Sequence, residues 1–477
     1  MLGERYMISG WIESEFTVNK FSDKRHFDRF KIMMSSFVSR PHGTIPKICK
    51  KKSEIKGAYR FFENRNVTME PILESHRNSL KQRIKENKIV LNVQDSSTLN
   101  FYKHKSKKDQ GDISYGYRGK GSSGYWLHAG LAFTTTGIPL GVTSQALWAR
   151  KKVFEGETRA EHKKRLLKTP IKDKESMKWL NACNDCKPLL ETSCEIVQVA
   201  DREADIYEFM SNCKKNGFSF LIRSKSNRSI YTTDAKGNGY RTNLIKHVQK
   251  TSYISAKSDF QITGNNKRKP KKVQISIKAA KVTLLPPINQ KLNEDDEGKP
   301  IEATVVSVES KEKINGKPIF WRLLTDRRIQ TQKDLKEIVR WYTIRWQIEV
   351  FFKTLKSGCQ IEASRLTNLD RLSPYLAMKS IAAYRIMILT NHVKSNPQAS
   401  VFEVITEEEW NFLRYILYEK KRIPKKPKLK DLVCKIAELG GFISGGNRLP
   451  GIITIWRGWE EACIGISVLQ RARTHNF

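Results

Sequence analysis

Two short apolar runs that each end at an aspartate constrain the fold of this chain more than any other feature. Residues 89–94 precede Asp95, and residues 196–200 precede Asp201. Runs of this length, rich in Val and Ile, predict buried strands. Ligands in α/β proteins gather at the carboxyl ends of strands, so both carboxylates are expected at one edge of a sheet.

A third acidic residue, Glu349, lies in a segment, 342–357, whose pattern predicts one amphipathic helix. At about 100° per residue, one side collects Tyr342, Arg345, Glu349 and Lys356, with Lys353 at its edge. The other side collects the apolar residues Ile344, Ile348, Phe351, Phe352 and Leu355. The pattern predicts a helix that packs its apolar face inward and lines a cleft with a carboxylate among cations. A surface helix with Glu–Arg and Glu–Lys pairs would look the same.

The net charge indicates the binding partner. Lys and Arg number 87 against 49 Asp and Glu, a formal net charge of +38. A folded protein this basic repels itself unless a polyanion compensates it. Nucleic acid is the expected polyanion, and its binding should depend steeply on salt.

Several classes are disfavoured by what the sequence lacks. No window approaches the roughly 18–20 apolar residues of a membrane span, and the N-terminus has no secretory pattern. The eight cysteines are scattered, which favours a reduced, cytoplasmic protein without a membrane partner. Cys183-x-x-Cys186 and nearby Cys194 fall short of the four ligands of a structural zinc site.

Together, Asp95, Asp201 and Glu349 form a candidate metal-binding triad. Two Mg²⁺ ions, for which Mn²⁺ can substitute, clamp the attacking and leaving oxygens of a phosphodiester, and carboxylates are their preferred protein ligands. Asp201 has a competing interpretation, because an aspartate before a helix is often an N-cap. Glu203 and Asp205 are rival ligands in the same segment.

The rest of the chain divides into segments that differ in their pattern of apolar, charged and turn-forming residues. Residues 1–68 predict a basic helical domain with the apolar anchors Trp11, Phe16, Phe21, Phe27, Phe30 and Ile32. Residues 69–230 read as mixed α/β. Residues 231–318 predict a β-rich insertion with a basic hairpin tip at 264–270. Residues 376–477 are mainly helical and contain a basic, Pro-punctuated loop at 420–428.

Three motifs resemble the insertion-sequence-four family of bacterial cut-and-paste transposases. They are residues 199–206 (Val-Ala-Asp-Arg-Glu-Ala-Asp-Ile), residues 57–61 (Gly-Ala-Tyr-Arg-Phe), and the Tyr-x-x-Arg-x-x-x-Glu-x6-Lys run from Tyr342 to Lys356. The resemblance implies an RNase H-like core, a mixed five-stranded sheet with helices, at 69–375. It also implies the β-rich insertion at about 231–318, an N-terminal DNA-end-binding domain and a C-terminal helical dimerisation domain.

The resemblance also assigns residues. Asp95, Asp201 and Glu349 match the metal-binding triad of the family. The expected DNA-binding residues are Tyr342, Arg345, Lys356, Arg223, Trp321 and Trp346, and Lys353 joins them from the edge of the polar stripe. Trp321 would stack where a base is flipped out, although a tryptophan on a strand is also an ordinary core residue.

The function implied is cut-and-paste DNA transposition by nicking, hairpin formation and opening, and strand transfer. The expected partners are double-stranded DNA, as terminal inverted repeats and as target, and a second copy in a synaptic dimer. The expected location is the bacterial nucleoid. A DNA-binding regulator that no longer cuts, and an RNase H-like nuclease that does not join ends, remain alternatives.

Overall fold

The computed structural model describes residues 9–49, 51–114, 122–150, 158–225, 227–233, 237–262, 271–287, 298–314, 316–419, 422–445 and 448–474. The chain forms two compact units. The first comprises residues 1–87, 96–153 and 347–477, and the second comprises residues 88–95 and 154–346. The domain boundaries predicted at residues 68 and 375 remain predictions, as do the bounds of the β-rich insertion at about residues 231 and 318.

Helices make up most of the first unit and flank the strands of the second. In chain order they are α1 Ser9–Glu15, α2 Lys24–Ser39, α3 Ile45–Ile48, α4 Lys52–Glu63, α5 Met69–Lys85, α6 Arg159–Lys168, α7 Met177–Asn184, α8 Tyr207–Lys215, α9 Leu244–Thr251, α10 Gln332–Ile344, α11 Gln347–Lys353, α12 Leu369–Ser395, α13 Glu407–Leu417, α14 Leu429–Leu439 and α15 Ile452–Thr474.

The strands are β1 Ile89–Asn100, β2 Gly111–Asp112, β3 Ser123–Thr134, β4 Pro139–Trp148, β5 Glu195–Ala200, β6 Ser219–Arg223, β7 Ser229–Thr233, β8 Gly239–Asn243, β9 Ile254–Ile262, β10 Lys271–Leu284, β11 Ile301–Ile314 and β12 Lys317–Thr325. The fold is thus mixed α/β, as predicted.

The second unit contains a mixed sheet. The first half of β1, β5 and β6 run parallel, and β12, β11, β10, β7 and β8 continue the order with antiparallel pairs. β9 also pairs with β10. The strands of the predicted insertion therefore extend the same sheet, because β12 pairs with β6 on one side and β11 on the other. A separate five-stranded core remains a prediction.

Strand β1 is longer than predicted. The sequence places Asp95 at the end of a strand, but β1 continues to Asn100 through the polar residues Ser96, Ser97 and Thr98. The prediction of a strand end at Asp95 is wrong. In the first unit the second half of β1 lies beside β3, with the Phe101 amide donating to the Ser123 carbonyl.

The single helix predicted at 342–357 is divided. α10 ends at Ile344, α11 begins at Gln347, and a π-helical turn follows at residues 354–358. Between the helices, the Arg345 and Trp346 amides bond three residues back rather than four. The predicted polar stripe therefore does not lie on one continuous helix. The predicted apolar residues Ile344, Ile348, Phe351, Phe352 and Leu355 are nonetheless buried.

The first unit is built around α12. This helix is buried on nearly all sides, and it packs against β4, α5, α2, α4, α14 and α15. A helix that is apolar all round belongs in a core. The predicted N-terminal anchors are buried, and Phe16, Phe21, Phe27 and Phe30 pack on one another. Ile32 is the exception, because its side chain is exposed.

Some sequence predictions fall on parts of the chain that the structure does not describe. The basic hairpin tip at 264–270 lies outside the described residues, as do residues 420 and 421 of the basic loop. Across the described helices, none combines the length and the apolar character needed to cross a bilayer.

Candidate active site

In the second unit, the strand register brings three predicted site residues side by side across the sheet: Asp95, Asp201 and Arg223. Val93 pairs with Val199 across parallel β1 and β5, and this register, extended by two residues past the last observed pair, places Asp95 opposite Asp201. Ala200 pairs with Ile222 on β6, so the next step places Arg223 opposite Asp201. Neighbouring strands are about 4.8 Å apart, and paired residues share a face. The sheet thus presents two carboxylates and a guanidinium in one row.

Asp201 is held by its own turn. Strand β5 ends at Ala200 as predicted, and a 3-10 turn follows at residues 202–204. The Glu203 amide donates to Asp201 Oδ1 at 2.7 Å, so Asp201 is the N-cap of this turn. This bond uses one carboxylate oxygen and orients the other.

The two rival carboxylates near Asp201 have other partners. Asp205 is almost fully buried and pairs with Arg228. Its Oδ2 also accepts hydrogen bonds from the Ser224 hydroxyl, at 3.1 Å, and the Lys225 amide, at 2.7 Å. Glu203 is exposed and lies 3.8 Å from the Lys178 ammonium. Asp205 therefore has a structural task, which leaves Asp201 as the better metal ligand of the segment.

Asp95 forms an ion pair with a second member of the predicted site. Arg345 Nη1 donates to Asp95 Oδ2 at 2.7 Å. Arg345 follows the last residue of α10, where a cation is favoured by the carbonyl end of the helix dipole. Sequence reasoning placed both residues at the site but did not predict that they pair.

Tyr342 joins the group from α10. Burial raises the pKa of its phenol, and Asp201 raises that pKa further, while Arg345 and Arg223 act against the rise. The guanidinium of Arg223 thus also acts on the phenol electrostatically. Tyr342 therefore keeps its proton at neutral pH, and its ring packs on Trp321 at a centroid distance of 5.4 Å.

The other predicted site residues are Trp346, Glu349, Lys353 and Lys356. The Trp346 side chain is 59% exposed. In the first unit, Glu349 lies on α11, and Lys353 is exposed at its end. Lys356 Nζ donates to the Ser97 hydroxyl at 2.8 Å, and burial lowers the pKa of this lysine.

The second unit therefore brings Asp95, Asp201, Arg223, Trp321, Tyr342 and Arg345 together, whereas Glu349, Lys353 and Lys356 belong to the first unit. Among the described residues, no three His, Cys, Asp or Glu side chains gather as a metal-binding group. Asp95 and Asp201 nevertheless fit a hard divalent cation, because they offer carboxylate oxygens from adjacent rigid strands.

Reasoning from the sequence missed the hydrogen-bond partner of Lys356, Ser97. Ser97 follows Asp95 by two residues on β1, so the two side chains point to the same face of that strand. A Ser-Ser-Thr run directly after a candidate ligand was the available signal. The strand was predicted to end at Asp95, and the acceptor for Lys356 was therefore overlooked.

Comparison with protein families gives two matches. Residues 8–67 match the family model described as "Transposase DNA-binding". Residues 181–385 match the model described as "Transposase DDE domain". The second match includes Asp201, Glu349 and the signature from Tyr342 to Lys356, whereas Asp95 precedes it.

A pair of carboxylates beside two guanidinium groups and a protonated phenol suits metal-dependent phosphoryl transfer on DNA. With the two family matches, the chain is a DDE transposase. DNA is accordingly its partner, and a divalent metal ion is its cofactor.

Proposed function

We propose that this transposase moves its element by cut-and-paste transposition and belongs to the insertion-sequence-four family, with a resemblance to the transposon-five transposase. The observation that carries the proposal is the row of Asp95, Asp201 and Arg223, with Tyr342 and Arg345 beside it. The spacing from Tyr342 to Lys356 is the family signature.

Asp95, Asp201 and Glu349 are the proposed ligands of two Mg²⁺ ions. Asp95 and Asp201 are supported by the register of β1 and β5, which places them opposite one another when it is extended two residues beyond Val93 and Val199. Glu349 is supported by its place in the signature. When bound, two such ions neutralise charge on the scissile phosphate and lower the pKa of an attacking water.

The side chains around the carboxylates have separate proposed tasks. Arg223 and Arg345 present guanidinium groups, which match phosphate oxygens in a bidentate geometry. Tyr342 is protonated and can donate to a phosphate oxygen. Lys353 and Lys356 add charge from the first unit. The proposed common effect of these five side chains is to hold the DNA backbone in position for in-line attack.

The proposed reaction has four steps of one kind. Water attacks a phosphodiester at the element end and frees a 3′ hydroxyl. That hydroxyl attacks the opposite strand to give a hairpin, a second water opens the hairpin, and the 3′ end then joins target DNA. Each step makes one P–O bond and breaks another. One set of carboxylates can therefore serve all four.

Two aromatic residues are proposed for the hairpin steps. Trp321 contacts Tyr342, and Trp346 is largely exposed next to Arg345 in the chain. A base that leaves the duplex loses stacking, and an aromatic ring restores about 1–3 kcal/mol of it.

The proposed assembly is a homodimer that holds two element ends in a synaptic complex. Residues 8–67 match a DNA-binding family model, and we assign recognition of the terminal inverted repeats to this segment. Each subunit would cut mainly the end that is bound by its partner.

The test is a pair of neighbouring carboxylate variants. Asp201→Asn should still shift DNA that carries the native terminal repeats but should no longer nick it in Mg²⁺ or Mn²⁺. Glu203→Gln removes an exposed charge two residues away and should nick at the wild-type rate. Nicking by Asp201→Asn at the wild-type rate would remove Asp201 from the metal site.

The same assay separates the alternatives. A cut-and-paste transposase should release hairpin ends and join 3′ ends to a second DNA. Cleavage without joining would indicate a nuclease instead. Tight binding without cleavage at any native repeat would indicate a regulator.

A further inference from the structure

The ion pair between Arg345 and Asp95 places two groups with different proposed partners in contact. Their side chains are 15% and 17% exposed, and the Nη1–Oδ2 distance is 2.7 Å. A charge-assisted hydrogen bond with this little solvent is stronger than a pair on an open surface. The pair therefore competes with any other ligand of Asp95.

The ion pair keeps both Asp95 and Arg345 from their proposed roles. Asp95 cannot fully serve a divalent cation while a guanidinium occupies Oδ2, because the two positive groups repel. Arg345 cannot present this Nη1 donor to a DNA phosphate while it binds Asp95. A DNA phosphate can replace Asp95 as the partner of Arg345, since phosphate and carboxylate oxygens both match the guanidinium in a bidentate geometry.

The local charges make the binding of a cation to Asp95 and the binding of a phosphate to Arg345 depend on each other. The carboxylates of Asp95 and Asp201 are balanced by the guanidiniums of Arg223 and Arg345, which interact with the same phenol, Tyr342. A cation that binds alone leaves this group with excess positive charge, and a phosphate that binds alone leaves it with excess negative charge. When both are bound, the phosphate offsets half of the charge of the divalent cation.

We propose that Arg345 is a positioning residue that couples metal binding to DNA binding. It holds Asp95 in the DNA-free protein and releases it when a DNA phosphate takes over the guanidinium. This inference rests on the proposed function, in which Asp95 is a metal ligand. Since coupling free energies are reciprocal, the metal must strengthen DNA binding by the same factor.

The coupling has a consequence for the enzyme in the cell. A transposase with a loaded metal site could hydrolyse any DNA that it meets by charge attraction alone. With Asp95 held by Arg345, full metal affinity appears only where the backbone is seated against the guanidinium. Cleavage is then tied to a correctly placed end.

The test measures Mn²⁺ binding to the full-length, DNA-free protein, through the electron paramagnetic resonance signal of free Mn²⁺. Arg345→Gln should bind Mn²⁺ about tenfold more tightly than wild type, within the range of ordinary coupling factors. The matched control is Arg340→Gln on α10, the helix that ends just before Arg345; it removes an exposed pair with Glu337 and should leave Mn²⁺ affinity unchanged.

A second measurement needs no variant. Adding a duplex that carries the native terminal repeat should tighten Mn²⁺ binding to wild type about tenfold. The same duplex should have little effect on Arg345→Gln. Equal Mn²⁺ affinity of wild type with and without this DNA would overturn the coupling.

Asp95→Asn distinguishes failure of the coupling from failure of the proposed site. If Asp95→Asn weakens Mn²⁺ binding but Arg345→Gln does not strengthen it, the coupling is wrong and the metal site stands. If Asp95→Asn leaves Mn²⁺ affinity unchanged with and without DNA, Asp95 is not a ligand, and both proposals fail.

Discussion

The Trp321 ring packs against the Tyr342 ring with centroids 5.4 Å apart and planes inclined at 64°. Phe260 also contacts this indole, at a centroid distance of 5.5 Å. Arg223 pairs with Leu323 across β6 and β12, so Trp321, two residues away, points to the same face as Arg223. The sheet thus sets an indole on the face that carries the carboxylate row.

Trp321→Ala should separate nicking from hairpin formation. The first cut needs no base outside the duplex, and we expect its rate to change only a few fold. Hairpin formation should slow by about 10- to 100-fold, since loss of base–aromatic stacking costs about 1–3 kcal/mol. Denaturing gels of end-labelled substrate resolve the nicked and hairpin products.

Phe260→Leu is the control for that experiment. It disturbs the packing of Trp321 but removes no proposed base contact. If this variant slowed hairpin formation as much as Trp321→Ala, the indole would be acting through packing alone, and its role in base stacking would be refuted.

The carboxylate row was predictable because it depends on local signals. Short Val- and Ile-rich runs predicted β1 and β5, and Asp201 follows the end of its strand as expected. The continuation of β1 past Asp95 was not predictable, because Ser96 to Thr98 have no apolar pattern. Strand β1 also pairs with β3, which is distant in sequence, and a local pattern does not report such a pairing.

The division between α10 and α11 was missed for a different reason. Neither Pro nor Gly lies between Ile344 and Gln347, and periodicity runs through the break without interruption. Helix propensities differ by less than about 1 kcal/mol per residue and are readily overridden by tertiary contacts. The side chain of Arg345, which binds Asp95, lies at this break.

DNA affinity should fall steeply with salt, and Lys353 should account for part of the slope. Lys353 is exposed at the end of α11, and each phosphate that a protein neutralises adds about 0.9 to the slope of log affinity against log salt. We expect Lys353→Ala to reduce the slope by about one unit. Lys85→Ala removes an equal, exposed charge from α5 and should leave the slope unchanged.

Fluorescence anisotropy at several salt concentrations measures both slopes on the same terminal-repeat duplex. Equal slopes for wild type and Lys353→Ala would remove Lys353 from the DNA interface. A reduced slope for Lys85→Ala would instead show that the measurement responds to net charge alone.

A buried ion pair in the first unit should make a large contribution to stability. Arg385 on α12 donates to both carboxylate oxygens of Glu409, at 3.0 and 2.9 Å, and to the Val404 carbonyl. Both side chains of the pair are at most 2% exposed. Arg385→Ala leaves Glu409 charged and buried, so we expect a loss of about 3–5 kcal/mol in the free energy of unfolding.

Urea unfolding of three variants tests this expectation. Arg422→Ala breaks an exposed pair with Glu419 and should cost less than about 1 kcal/mol. The double variant Arg385→Met/Glu409→Leu removes both buried charges and should lose less stability than Arg385→Ala. A double variant as unstable as the single one would contradict the explanation based on an unpaired charge.

Glu15 should make the stability of the first unit sensitive to acid. Its side chain is 2% exposed, and it accepts from Arg83 Nη1 at 2.8 Å and Nη2 at 3.0 Å. His76 Nδ1 lies 2.6 Å from the same carboxylate, and His76 Nε2 accepts from the Val142 amide at 2.9 Å. Burial alone would raise the pKa of Glu15, but Arg83 and His76 together lower it from 4.5 to about 2.

The sign of the effect follows from that depressed pKa. A carboxylate whose pKa is lower in the folded state than in the unfolded state stabilises the fold at pH values above its unfolded-state pKa. The stabilisation is lost as pH falls from about 4.5 to about 2. Glu15→Gln should therefore be less stable than wild type by roughly 3 kcal/mol near neutral pH, and the difference should shrink as pH falls through this window.

Chemical unfolding of both proteins at a series of pH values between neutral and strongly acidic measures the difference directly. If the two proteins differed by the same free energy at every pH, the Glu15 carboxylate would not be the group whose charge stabilises this core.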